Sequence, residues 1–285
     1  MAEFELFTGV PHDLEFKTMS GAVTLERDFE HEVPRARLQT EIERARTPLE
    51  IGGEHAADVP VYEIGLGGLE KKQLLASWLG ELCANQLVVV SRIAERAAAM
   101  DGLRDGLAHP SAMIRDGQTG RIKAARYVAI PERVAQRGAA ASQVAAKRNL
   151  GEARRVINCT PEDMRLKTGG RNIMFERDPA IATQIDIAYH YEVVGRGQKN
   201  IPVAKSRPNN PVGIPRGVPE DVLLLVHSEV PIEALRLGVS PDIVANMVFP
   251  YKMERRLGGQ QCNTSTALGY YSTAMLDTIY RTCRI

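Results

Sequence analysis

From residue 155 onward, hydrophobic and polar positions fall into short runs of strand period. The clearest is Thr183–Val194, where Ile185, Ile187, Tyr189, Tyr191 and Val193 alternate with Gln184, Asp186, His190 and Glu192. Val156–Cys159, Asn172–Glu176, Val222–His227 and Val248–Met253 are shorter strand candidates. Pro231–Leu237 reads as a helix, Gly238 as a turn, and a second helix starts at Pro241. Further upstream, Leu75, Leu79, Leu82, Val89 and Ile93 keep a spacing of three to four, broken only by Gln86. This pattern predicts one long helix over residues 69–100, about 45 Å from end to end at 1.5 Å per residue.

A strand candidate at Arg121–Ile130 ends at Pro131, and an alanine-rich helix is predicted from Glu132 to Arg155. On a helical wheel Arg133, Arg137, Arg148 and Arg155 share one arc, flanked by Lys147 and Arg154. Ala135, Ala139, Ala146, Leu150 and Ala153 lie opposite. In residues 1–58, short β-like runs (Phe4–Phe7, Ala22–Leu25) alternate with charged stretches such as Glu26–Glu32, and Glu41–Arg46 reads as a helical turn or two. Val59–Ile64 is a short strand candidate. The expected fold is α+β: an extended N-terminal arm or hairpin, one long spine helix, then a mixed sheet with flanking helices. The division is an acidic arm over 1–58 and a body over 59–285, with no internal repeat.

The 285 residues are 44% hydrophobic and 25% charged, which fits a globular chain and excludes a disordered one. Aromatic residues make up only 5%, which argues against an extensive base-stacking surface. The net charge of +1 conceals an asymmetry: residues 1–114 carry −8, residues 115–216 carry +10 and residues 217–285 carry −1. Such a layout calls for a polyanion, for a neighbouring copy, or for cancellation within one fold. Four cysteines without metal-site spacing read as reduced thiols. Between Lys72 and Arg92 the polar Gln73, Ser77, Asn85, Gln86 and Ser91 interrupt the hydrophobic run, so no membrane span is expected. The start, MAEFELF, lacks the features of a secretory signal, and the expected location is the cytoplasm or the interior of a virus-like particle.

No catalytic set emerges. Gly65–Gly68 ahead of Lys71 and Lys72 departs from both phosphate-loop patterns. His227-Ser228-Glu229 is no nucleophile elbow, and Cys159 has no neighbouring base. Asp186, His190 and Glu192 share one face of a strand but lack a third group. Neither a metal nor a cofactor is expected.

The basic features are the helix stripe and the Gly195–Gly217 segment, with five basic residues, four prolines and no acid. They single out Arg133, Arg137, Lys147, Arg148, Arg154, Arg155, Arg196, Lys199, Lys205 and Arg207 as contacts to nucleic acid or to another subunit. The order of arm, hairpin, long helix and α+β body resembles the layout of HK97-type viral shell proteins and encapsulins, a likeness of layout alone. It implies a non-enzymatic, self-assembling, capsid-like homo-oligomer with copies of itself as partners and the basic segment facing nucleic acid or a neighbour. The alternative is a backbone subunit of a ribonucleoprotein, like those of RNA-guided effector complexes, that binds RNA or single-stranded DNA without reading sequence. A third reading is an enzyme with a dispersed site around Asp186, His190 and Glu192.

Overall fold

The computed structural model of the protein describes residues 2–28, 39–51, 54–66, 79–92, 95, 98, 105–115, 122–132, 141–148, 152, 154–177, 184–255 and 261–276. The described residues are mostly β, 56% strand against 14% helix, which overturns the α+β expectation. The first half contributes β1 (Ala2–Glu3), β2 (Glu5–Thr8), β3 (Leu14–Thr18), β4 (Gly21–Leu25), β5 (Gln39–Ile51), β6 (Glu54–Leu66), β7 (Gln86–Val89), β8 (Leu107–Ser111), β9 (Ile114–Arg115), β10 (Ile122–Ala124) and β11 (Tyr127–Pro131). Helix α1 (Ala141–Lys147) follows. The second half contributes β12 (Arg154–Asn158), β13 (Met164–Thr168), β14 (Arg171–Phe175), β15 (Asp186–Arg196), β16 (Pro202–Val212), β17 (Val222–Leu225), α2 (Val230–Arg236), α3 (Pro241–Ala245), β18 (Met247–Arg255) and β19 (Gln261–Tyr271).

Among the described residues there is no long spine helix. Residues 86–89, inside the expected 69–100 helix, form β7, with Leu87, Val88 and Val89 all buried. Three β-branched or apolar residues in a row buried on both faces are typical of a strand with parallel neighbours, and β7 runs parallel to both β2 and β8. The described residues of 1–58 do not form an extended arm either. Residues 2–25 are built into sheets, and Glu41–Arg46 is strand β5 rather than helix. The 58/59 boundary falls inside β6. Of the helix expected over 132–155, residues 141–147 are helical, and 154–158 form β12.

The two halves repeat one another. Pro11, Asp13, Lys17, Thr18, Glu26, Arg27 and Asp28 recur 150 positions later as Pro161, Asp163, Lys167, Thr168, Glu176, Arg177 and Asp178. The hairpins they frame, β3–β4 and β13–β14, share the same burial alternation on their first strands. In each, the aspartate accepts the backbone N–H of the matching arginine, Asp13 from Arg27 at 2.7 Å and Asp163 from Arg177 at 2.9 Å. A short side chain that satisfies a backbone donor fixes the way out of the hairpin.

Strand pairing extends the repeat to two six-stranded rings. One ring runs β2–β7–β8–β11–β16–β15 and closes through β1, which continues into β2 past Phe4. The other runs β12–β17–β18–β19–β6–β5 and closes where β5 meets β12. Equivalent pairs match in register: Val128 faces Val203 and Leu268 faces Val61, while Ala129 faces His109 and Gly269 faces Phe249.

The long hairpins are exchanged between the halves. Hairpin β5–β6 completes the second ring and β15–β16 completes the first. Leu49, Val59 and Val61 accordingly sit in a core with Leu223, Leu225, Val248 and Leu268. Ile201 and Val203 sit in one with Leu6, Leu87, Val89 and Val128. Each ring is plugged by its short hairpin, through Leu14, Phe16 and Leu25 or through Met164, Leu166 and Phe175. A third core, between α1, α2, α3 and the outer face of β18–β19, contains Val144, Val230, Ile232, Val244, Phe249 and Tyr271.

The chain leaves the exchanged β16 at Gly213, whose φ of +69° suits glycine, and a Cβ there would strike the Gln184 carbonyl. Gly213→Ala is therefore expected to destabilise by more than the about 1–2 kcal/mol of the left-handed conformation alone. Thermal melting checks this, and an unchanged midpoint would show that the turn relaxes freely.

Candidate nucleic-acid interface

The structure sorts the ten singled-out cations into separate places. Arg133 and Arg137 lie outside the described residues. Arg148 does not face outward as the wheel implied, because its guanidinium stacks on the Tyr270 ring at 4.1 Å and donates to the Ala245 and Tyr271 carbonyls. Burial brings its pKa down to about 10, against the pull of Tyr270 and Glu63, so it stays a cation at neutral pH. The arginine stripe thus does not continue past α1 as one helical face. Arg155 lies on β12, exposed, with Nε donating to Asp221 Oδ2 at 2.7 Å; this bond holds the Asp221 carboxyl below its ordinary value.

Lys199 closes the β15–β16 hairpin and donates to the Thr24 carbonyl at 2.7 Å, with Glu26 at 3.4 Å. Arg196, half-buried, lines a depression of about 740 Å³ with Lys199 and the backbone of Ala2–Phe7. Lys199 beside Glu26, and Arg148 in the field of Glu63, show how part of the charge asymmetry is met within one chain.

Lys205 and Arg207 are exposed on β16, where they face Glu192 and His190 across the ladder. That pairing places His190 and Glu192 on an exposed surface between cations, and among the described residues no cluster of His, Cys, Asp or Glu forms around them or Asp186. Among the described residues no three His, Cys, Asp or Glu side chains cluster for a metal ion. Nor is any described helix long and apolar enough to cross a membrane. Cys159 is buried and its thiol is pushed up to about 11 by desolvation, which makes it a poor nucleophile.

The last two cations, Lys147 and Arg154, meet. They line a depression of about 570 Å³ together with Arg216, Gly217, Val218, Glu220, Ser240, Asp242, Ile243 and Asn246. The topology explains the meeting. Arg154 opens β12, which pairs in parallel with β17, so the segment entering β17 (Arg216–Glu220) comes alongside. Helices α1 and α3 pack together and bring Lys147 to Asp242, with Nζ 3.4 Å from Oδ1. Ser240 Oγ donates to Asp242 Oδ2 at 3.4 Å, and Asn246 Nδ2 donates to the Asp242 backbone carbonyl at 2.9 Å. Arg154 is only 2% exposed and forms part of the wall, while Lys147 and Arg216 stand exposed at the rim. The basic stretch of 195–217 thus ends where the predicted stripe ends. Arg216 was visible in the sequence only as one of five basic residues of its segment. Ser240 and Asn246 carried no signal.

A second polar cluster lies on the outer face of the first ring. Arg92 Nη2 donates to Ser111 Oγ at 2.9 Å, and that oxygen shares a 2.7 Å hydrogen bond with the Tyr191 hydroxyl. Arg92 also stacks on Tyr189 at 4.4 Å, and Tyr127 stacks on Tyr191 at 4.9 Å. His109 Nδ1 lies 3.8 Å from Glu95 Oε2, both buried. Burial would lower the Arg92 guanidinium, but the fields of Tyr189, Glu229, Tyr191 and Glu95 outweigh it and hold it above its ordinary value. The tyrosine faces are taken by one another and by Arg92, so these rings do not form an open stacking platform.

No protein-family model matches the chain. Neither a curated protein nor a solved structure matches it significantly.

Proposed function

We propose that this protein binds single-stranded nucleic acid through its phosphates, without reading base sequence and without chemistry. The observation that carries this reading is the depression where Lys147, Arg154 and Arg216 converge from three parts of the chain. Arginine and lysine with hydroxyl and amide side chains beside them make a phosphate-contact set. Among the described residues no ring lines the depression, so they offer a base nothing to stack on. Exposed Lys205 and Arg207 add positive potential elsewhere on the surface.

The shell-subunit reading drew its layout from an arm and a long spine helix, and the described residues form neither. The charge asymmetry that called for a neighbouring copy is partly met inside the chain. The enzyme reading looked to Asp186, His190 and Glu192, which stay exposed and join no cluster of titratable groups among the described residues.

The test is fluorescence anisotropy with labelled homopolymeric oligonucleotides, RNA and DNA, over a salt series. Two to three phosphate contacts give a slope of log affinity on log salt of about −1.4 to −2.1. Lys147→Glu with Arg216→Glu, both at exposed positions, should weaken binding at least about tenfold while leaving the melting curve in place. Absence of binding to either polymer at low salt, or wild-type affinity in the double variant, would overturn the proposal.

A further inference from the structure

We infer that the same depression selects ribose over deoxyribose, so that the strand it holds is RNA; this rests on the phosphate-binding reading above. The lining is not purely cationic, for Asp242 and Glu220 stand among Lys147, Arg154 and Arg216. A carboxylate repels a phosphate, so a cleft serving phosphate alone has no use for two of them. They become useful when the ligand carries both an anion and a hydroxyl donor.

An ionised carboxylate only accepts hydrogen bonds and offers about four lone-pair sites. Asp242, part of the lining, uses one oxygen toward Lys147 and the other toward Ser240, which leaves each oxygen a further acceptor site. Along an RNA strand every nucleotide presents an acceptor-only phosphate next to a 2′-hydroxyl that donates. The interior of a DNA strand presents the phosphate and no hydroxyl. The presence of both cations and carboxylates in the lining suits the first better than the second, and the 2′-hydroxyl is the group by which proteins tell the two apart. With no aromatic residue in the lining, the recognition stays on the backbone and indifferent to base sequence.

The experiment compares labelled oligouridylate with oligodeoxyuridylate of equal length, which differ only in the 2′-hydroxyl, on the full chain at one low salt concentration. Wild type is expected to prefer the ribose strand about tenfold, the worth of a hydrogen bond to a charged acceptor. The double variant Asp242→Ala, Glu220→Ala should lose that preference and bind the deoxy strand more tightly than wild type, because the repulsion is gone. Both positions are exposed, and matching melting curves verify the fold. Equal affinity of wild type for the two strands, or a preference that survives in the variant, overturns the ribose inference and leaves phosphate binding standing. Failure of both strands to bind overturns phosphate binding and the inference with it.

Discussion

Expressed apart, residues 1–150 and 151–285 are each expected to lack a cooperative thermal transition as monomers, and to regain it when mixed as a one-to-one complex. Each half owns only four of the six strands of its ring, and the missing hairpin comes from the other half. Without β15–β16 the first ring loses Ile201 and Val203 from its core. Strands β11 and β1 then present unpaired edges, an arrangement prone to aggregation. Without β5–β6 the second ring loses Leu49, Val59 and Val61, all fully buried. Each such residue contributes about 1.5–3 kcal/mol of burial, so losing three approaches the whole stability of an ordinary domain. Circular dichroism with size exclusion decides the matter. A folded half at dimer mass means that two copies have traded hairpins, the same exchange between chains. A folded half at monomer mass would overturn the architecture.

The second half was largely legible in the sequence; in the first, the short runs Phe4–Phe7, Ala22–Leu25, Val59–Ile64 and Arg121–Ile130 do mark strands, but the long hairpin β5–β6 and strand β7 were missed. Thr183–Val194, Val222–His227 and Val248–Met253 coincide closely with β15, β17 and β18, and Pro231–Leu237 with α2. In the first half, β5 carries Glu41, Glu43, Arg44 and Arg46 at exposed positions. These are good helix formers, and the strand is specified by its place in a ring closed by the other half rather than by local pattern. The Leu75–Ile93 spacing predicted one continuous helix, but it runs across β7: among the described residues Leu79 and Arg92 are helical while Gln86–Val89, between them, are strand. Gln86–Val89 alone, with its two valines beside Leu87, held the correct signal. The duplication was readable in Pro-x-Asp and Lys-Thr followed by Glu-Arg-Asp at one constant offset, but the rest of the halves has diverged too far to draw attention to it. As for the depression, Lys147 and Arg154 stood out by charge. Their partners depend on β12 pairing with β17 and on α1 meeting α3, contacts between residues far apart in the chain.

The duplication also supplies an internal reference for the Arg92 cluster, and the second large effect is expected there. The strand registers make His109 the counterpart of Phe249, and Ser111 the counterpart of Tyr251. On the second ring Phe249 packs with Tyr271, Val230, Ile232 and Val244 in an apolar layer. On the first, the same layer contains Glu95, His109, Ser111 and the Arg92 guanidinium. The fold therefore does not require charge at this place, and the first ring carries it as a coupled set. Arg92→Met should destabilise by about 3–5 kcal/mol, because it leaves Glu95 without the nearby cation and Ser111 without its donor. Replacing the buried acid and base together should do the opposite. Phenylalanine itself does not transfer to position 109. Phe249 is accommodated because Gly269 lies opposite, where a Cβ would come within 2.7 Å of its ring, whereas Ala129 lies opposite His109. The pair Glu95→Leu with His109→Leu avoids that clash and, with Glu229 still in the field of Arg92, is expected to be neutral or to stabilise by about 1–4 kcal/mol, as apolar replacement of buried polar partners often does. Urea denaturation of the three proteins measures both effects. A silent Arg92→Met, or a double variant as damaged as the single one, would mean that Arg92, Glu95 and His109 are not electrostatically coupled. The expected pattern, one loss and one gain, would mean that the first ring gives up stability to keep a charged layer which its twin has done without.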